Sequence, residues 1–473
     1  MSVCRRLVMF AGAVYVTAAC NFAPHYSRPT TPAPPPAYQE ADGWKTAQPA
    51  DDHSRGPWWE IYSDDSLNAL ENQVTVSNQN LKAAFARLEQ ARDQTRIERS
   101  FLFPTVTADP RAVRERQSLN SPTYNDTKPT TFNDFALNLD VSYEFDVWGR
   151  IRNLVAAARA SEQASAADLA TLDLSTHAEL AADYFTLRSQ DTQQQLLDQT
   201  VKDYTAALEL TQHLYDGGAA ALADLDQAKA QLQTALTQAA DNRLRRSQTE
   251  HAIAVLLGET PANFRLAAQP LKLDAAPPAI DLGLPSALLE RRPDVAAAER
   301  RVAAANAQIG VARAAYFPVF TLTGLAGFES MATSNLLTAP SRTWSVGPQG
   351  LLTVFDGGLH RAQSAQAHAA YDEQVADYRN TVLSAYQSVE DNIVALRQLE
   401  QESVTQAAAV EATTEALQEA QYRYNGGIAT YLEIVVAENA ALTARLSAAD
   451  IQLRRMVASV QLVRALGGGW QPK

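Results

Sequence analysis

Two stretches of this chain contain no proline: 131 residues between Pro129 and Pro261, and 123 between Pro348 and Pro472. Proline removes a backbone donor and clashes with the preceding turn, so spans this long without one point to two sets of long helices. The Ala-rich run from Arg150 to Tyr215 carries Leu169, Leu172, Leu180, Tyr184, Leu187, Leu197, Val201, Tyr204 and Leu208, mostly three or four apart. That is the spacing of one helical face. Its length, at about 1.5 Å per residue, would be roughly 100 Å of helix, more than a globular core can house. Arg361 to Tyr424 repeats the length. With much Ala and few bulky residues per turn, close packing along a seam is expected instead of a thick core.

The two spans are copies of each other. Phe103-Pro104 matches Phe317-Pro318 at an offset of 214, and Phe145-Asp146 matches Phe355-Asp356 at 210. Tyr215-x-Gly217-Gly218 matches Tyr424-x-Gly426-Gly427, and Leu257-Gly258 matches Leu466-Gly467, both at 209. A period this long is one internal duplication, not a solenoid array. Each copy reads as helix, strand pair, long helix, Gly-Gly turn and helix. In the first, Leu67, Leu70, Val74, Leu81, Phe85 and Leu88 predict a helix from about Asp65 to Ser100.

Before the copies comes a targeting segment. Arg5-Arg6, the apolar run Leu7–Val16 and Thr17-Ala18-Ala19-Cys20 form a charged region, a short apolar region and a small-residue cleavage site. Cys20 is placed for lipidation as the first mature residue, although Thr17 departs from the usual Leu; the alternative is an ordinary signal peptide with a coincidental Cys. Asn21 lacks the acidic character of an inner-membrane retention signal, which favours the outer membrane. Eight of the 22 prolines fall between Pro24 and Pro57, an extended tether. The expected divisions are a signal at 1–19, a tether at 20–64, a first repeat at 65–260 with a hairpin over 104–146, an inter-repeat segment at 261–293, a second repeat at 294–467 with a hairpin over 318–356, and a tail at 468–473.

The strands carry the clearest local pattern. Phe135, Leu137, Leu139, Val141, Tyr143 and Phe145 alternate with Ala136, Asn138, Asp140, Ser142, Glu144 and Asp146, a period of two with one apolar face. Its partners are Val106 to Arg114, Val319 to Phe328, and Trp344 through Gly350 to Val354. Taken alone, this fits either a half-buried soluble strand or a transmembrane strand. Beside a lipidation signal it fits an outer-membrane barrel. Two hairpins give four strands, whereas single-chain membrane barrels start at eight, so other copies must complete the sheet. A dimer would give eight strands and a filled bore; a trimer would give 12 and an aqueous lumen.

The net charge of −13 argues against a nucleic-acid partner. The two cysteines, Cys4 and Cys20, leave no disulfide framework or Cys-based metal site in a processed chain. The seven His are scattered, with no zincin motif, nucleophile elbow or Walker loop. No catalytic, cofactor-binding or metal site is expected, and no enzyme.

The chain resembles the outer membrane factor family of TolC-like and OprM-like channels, within it the NodT-like lipoprotein branch. The resemblance is carried by the Cys20-Asn21-Phe22-Ala23-Pro24-His25-Tyr26 start, Trp58-Trp59, Tyr143-Glu144-x-Asp146-x-Trp148-Gly149-Arg150, Leu288-Leu289-Glu290-Arg291-Arg292-Pro293-Asp294, and Ala315-Tyr316-Phe317-Pro318. It covers essentially the whole mature chain. It implies a mainly α fold with a transmembrane β part: a homotrimeric 12-stranded barrel in the bacterial outer membrane, continuing into a periplasmic α-helical barrel. The function it implies is a passive, gated exit duct for small molecules, driven by an inner-membrane pump through a periplasmic adaptor. Type I protein secretion and a lipid-anchored coiled-coil adaptor are the alternatives.

The Gly-Gly turns end the long helices. The family implies that such tips meet the adaptor, which marks Gly217, Gly218, Ala219, Leu222, Gly426, Gly427, Ile428 and Tyr431 as partner contacts. Asp224 and Glu433 stand six residues past the second Gly of each turn. In a trimer they would form charge rings of the kind that set cation selectivity, with Tyr215 and Tyr424 closing the end. Otherwise they are solvated acids favoured near a helix N-terminus. The second acidic position common in the family is Val436 here, and an Arg latch found in some members is Ala429.

Overall fold

The computed structural model describes residues 21–31, 56–120, 122, 130–273, 275–278, 280 and 291–468. The signal segment, Cys20, most of the tether, residues 288–290 of the family motif and the end of the tail lie outside them. The elements are α1 (Asp65–Ser77), α2 (Gln79–Ser100), β1 (Thr105–Arg116), β2 (Thr131–Phe145), α3 (Arg150–Asp216), α4 (Leu222–Leu256), α5 (Pro293–Ala314), β3 (Val319–Ser330), β4 (Arg342–Leu351), α6 (Leu359–Asn425) and α7 (Tyr431–Ala465). They form two compact units: residues 21–30 with Arg87–Ala166 and Ala297–Arg379, and the described parts of Thr31–Ala86, Ala167–Ala296 and Asn380–Lys473.

The first unit holds a four-stranded antiparallel sheet in the order β1-β2-β3-β4. Its register aligns the rows. Val106 pairs with Val141, Val141 with Gly324, and Gly324 with Val346. Directly paired residues share a face, so one face carries Val106, Leu137, Leu139, Val141, Phe320, Leu322, Trp344 and Val346. The other carries Thr107, Asp109, Asn138, Asp140, Thr321, Thr323, Ser345 and Gln349. On β2 burial is inverted relative to a soluble strand: Leu137, Leu139 and Val141 are exposed, while Asn138 and Asp140 between them are half-buried.

β4 ends at Leu351, short of the expected Val354. Its partner β3 begins at Val319, opposite Leu351, and Pro318 before it has no N–H for a further rung. Val354 and Phe355 are left 91% and 90% exposed. The repeated Phe-Asp pair has a structural cause. Asp146 accepts from the Ile151 and Arg152 amides (3.0 and 2.9 Å) and Asp356 from those of Gly358 and His360 (2.8 and 2.9 Å), so each starts the long helix that follows.

The second unit has an aliphatic and aromatic core of Trp58, Leu67, Val74, Leu180, Tyr184, Leu187, Ile253, Leu257 and Val460. Asp64 caps α1, accepting from the Ser66 and Leu67 amides and from the Tyr184 hydroxyl. The single helix expected from Asp65 to Ser100 is two. Asn78 adopts an extended ψ of 125° between them; its Oδ1 accepts from the Leu81 amide (3.0 Å) and its Nδ2 donates to the Leu256 carbonyl (2.7 Å). The break receives the end of α4, where a Cβ on Gly258 would lie 2.6 Å from the Ser77 carbonyl oxygen. Phe85, expected on the packed face, is 54% exposed. Arg292 pairs with Asp294 and donates to the last-turn carbonyl of Ala465 (3.0 Å), tying the Arg-Pro-Asp motif to α7. Among the described residues no helix is long and apolar enough to cross a membrane.

Candidate functional site

Both long helices end in the same way. At the first tip the Gly217 amide donates to the His213 carbonyl, that of Gly218 to Tyr215, and that of Ala219 to Leu214. At the second, Gly426, Gly427 and Ile428 repeat these bonds to Tyr422, Tyr424 and Arg423. Gly218 and Gly427 each have φ +74°, and a Cβ on either would meet nothing within 4 Å. Glycine is required there for left-handed backbone, not for space.

The two repeat-related acids do different things. Asp224, half-buried in the first turn of α4, accepts from the Ala221 amide (3.2 Å), the return half of a capping box. Ala221 has no side-chain oxygen for the other half. Glu433, in the first turn of α7, reaches across the turn instead and pairs with Arg423 at 3.0 Å. Tyr424 is half-buried beside both tips; burial first, and then the charge of Asp224, push its phenol above the ordinary value. Its ring stands 6.2 Å from that of Tyr431 at 60°. Tyr215 is 38% exposed.

Of the residues expected to meet a partner, Gly217, Gly218, Ala219, Leu222, Gly426, Gly427 and Ile428 are exposed. Leu432 and Val436 extend that exposed apolar surface. Tyr431 differs from these. It is buried, packed against Ala228 and Val435 with Ala207, Leu208 and Tyr424 around them, because the first residue of α7 turns toward α3 and α4. It braces the tip from inside and offers no surface of its own.

A family profile described as "Outer membrane efflux protein" matches residues 70–259 and 284–468, the two repeats. The chain belongs to this family. The outer membrane protein OprJ of Pseudomonas aeruginosa is 34% identical over 465 residues, 96% of this chain and 93% of its own. The toluene efflux pump outer membrane protein TtgC of Pseudomonas putida is 30% identical over 470 residues, 98% and 96% of the two chains. The solved outer-membrane channel OprN superposes with a TM-score of 0.86 at 31% identity, over 96% of this chain and all of that one. This protein is an outer-membrane efflux channel protein, mainly helical with a β part.

In this efflux protein the residues next to Cys20 are fixed beside the strand bases. Asn21 Oδ1 accepts from Asn153 Nδ2 at 2.9 Å, and Phe22 stacks on Phe317 with centroids 4.5 Å apart and planes 8° off parallel. Trp148, which follows β2, packs on Phe317 and donates through Nε1 to the Pro318 carbonyl at 2.7 Å. The sequence marked this segment as part of the family resemblance and as the start of a tether, without its packing on the strand bases.

Sequence reasoning missed Arg423, whose repeat counterpart is Leu214; that asymmetry was the available signal. It also missed a groove of about 80 Å³ between α3, α6 and α7, lined by Asp203, Tyr204, Gln421, Glu438 and Arg445. Burial, and then the charge of Asp203, push the Glu438 carboxyl up to about 7. Among the described residues no group of three or more His, Cys, Asp or Glu is placed to hold a metal.

Proposed function

We propose that three copies of this efflux protein close one duct through the outer membrane, anchored by lipid on Cys20 and gated at the helix tips. The observation that carries this reading is the sheet. Its apolar face is exposed, with Leu137, Leu139 and Val141 of β2 more open than Asn138 and Asp140 between them, and among the described residues both edges, β1 and β4, are free within the chain. Aromatic residues stand at both ends of the apolar face, Tyr143, Phe145 and Phe320 by the helices and Phe135 and Phe328 by the loops, as in the girdles of membrane barrels. The strands alternate in direction, so β4 of one copy meets β1 of the next antiparallel. Three copies then make a closed 12-stranded barrel with an aqueous bore and no edge exposed to lipid.

The α-helices of the three copies form the periplasmic wall of the same duct. The exposed glycines, Leu222 and Ile428 of the tips dock a periplasmic adaptor, which couples the duct to an inner-membrane pump. Asp224, Glu433, Tyr215 and Tyr424 ring the narrow end. The protein is a passive exit for small molecules, and the energy is supplied by the pump. A lipid-anchored adaptor would have no use for a sheet with its apolar face outward.

The test is assembly. With Cys20 the only cysteine past the cleavage site, Val106→Cys on β1 and Val346→Cys on β4, combined in one chain, report the closing seam through a short bifunctional thiol reagent. The expected result is a ladder ending at three chains and a native mass of three chains in detergent. A monomer, or a ladder ending at two, would overturn the proposal.

A further inference from the structure

The two tips share a fold but not a charge balance. Relative to the first tip, the 209-residue offset replaces Leu214 with Arg423, Asp224 with Glu433 and Ala221 with Thr430. Asp224 keeps its carboxylate on its own helix start, at the Ala221 amide. Glu433 makes a different choice: Thr430 provides no side-chain cap, and the carboxylate lies 3.0 Å from the Arg423 guanidinium. Each charge also suits its own helix end, since Arg423 lies in the last turn of α6 and Glu433 in the first turn of α7.

We infer that Arg423 is a selectivity-determining residue of the tip constriction: it cancels the charge of Glu433 within the same chain, leaving Asp224 as the uncompensated acid. The inference rests on the reading of the tips as the narrow end of the duct. In three copies these two positions then present three uncompensated carboxylates to the passage, not six. Fixed charge at a constriction sets which ions enter, so the residue that removes half of it governs selectivity as directly as the acids do. Arg423 and Glu433 are 44% and 43% exposed. Exposed pairs of this kind contribute little to folding, so Arg423 can be replaced without loss of the fold.

The experiment is the potassium-over-chloride permeability ratio in planar bilayers, for full-length trimers verified as heat-modifiable bands on gels. Uncovering Glu433 doubles the uncompensated charge at these two positions, so Arg423→Gln should raise the ratio about twofold. Glu433→Gln, which leaves the guanidinium alone, should lower it. The double variant Arg423→Gln/Glu433→Gln should return to the wild-type value, Arg423→Lys should stay there, and Asp224→Asn should lower it. A double variant as low as Glu433→Gln, or an unchanged Arg423→Gln beside a responsive Asp224→Asn, would overturn the role of Arg423 and leave the gate standing. No response to any of these substitutions, Asp224→Asn included, would overturn the gate reading and this inference with it. If Arg423→Gln yields no trimers, Arg423→Met carries the same arm.

Discussion

His177 and Glu71 are 106 positions apart in sequence and meet in the core of the second unit, Nδ1 to Oε2 at 2.6 Å. Both are nearly inaccessible, and Trp59 stacks on the imidazole at 4.5 Å. Thr75 and Asp173 face Nε2 from α1 and α3. Burial alone would push the imidazole down, but the hydrogen bonds and charges of Asp173 and Glu71 hold it up at about 9. Burial pushes Glu71 up to about 7 against the hydrogen bond and charge of His177. Both groups thus bind protons more tightly in the folded chain than at their ordinary values of 6.5 and 4.5. Their contribution to stability is complete below those values and is lost as pH rises through about 7 and then about 9. The unfolding temperature, followed by Trp fluorescence in detergent, should fall between about pH 4.5 and 9, and Glu71→Gln should flatten that fall. A fall of the same size in the variant would place the linkage elsewhere. His177→Ala strands a buried carboxylate and should cost about 3–5 kcal/mol. None of this was legible in the sequence, where His177 is one of seven scattered histidines; the pair exists only once α1 is laid against α3.

At the scale of elements the sequence was a better guide where a period extends over many residues. The strand pattern of β2 and the glycine turns at Gly217-Gly218 and Gly426-Gly427 were readable because alternation and left-handed backbone are local requirements. The break at Asn78 was not, since apolar residues keep their helical spacing on both sides of it and the reason for the break, the end of α4, lies about 180 residues away. Its energetics are testable. Asn78→Ala removes a helix cap and should cost about 1 kcal/mol, more if the Leu256 carbonyl is left without a donor. Gly218→Ala and Gly258→Ala both place a side chain in left-handed backbone, at φ +74° and +70°, which costs roughly 1–2 kcal/mol. Only Gly258→Ala also drives its methyl into the Ser77 carbonyl. Chemical denaturation should therefore rank Gly258→Ala well below Gly218→Ala; equal losses would mean that the α4 end does not seat in the α1–α2 break.

For the whole molecule, the duplication was legible because each repeat landmark has a structural cause that recurs: an aspartate that starts the long helix, a glycine turn that ends it and a glycine that stops the shorter one. What the repeat obscured was the difference between its copies. Asp224 and Glu433 align in sequence, yet one caps a helix and the other pairs with Arg423, whose place in the first copy is taken by Leu214. The account as a whole depends on three such chains enclosing a water-filled path. Single-channel recording from purified trimers in planar bilayers tests this most directly. The account predicts discrete openings that favour cations in the wild type and favour them less in Asp224→Asn. Inserted trimers that pass no current in either form would contradict it.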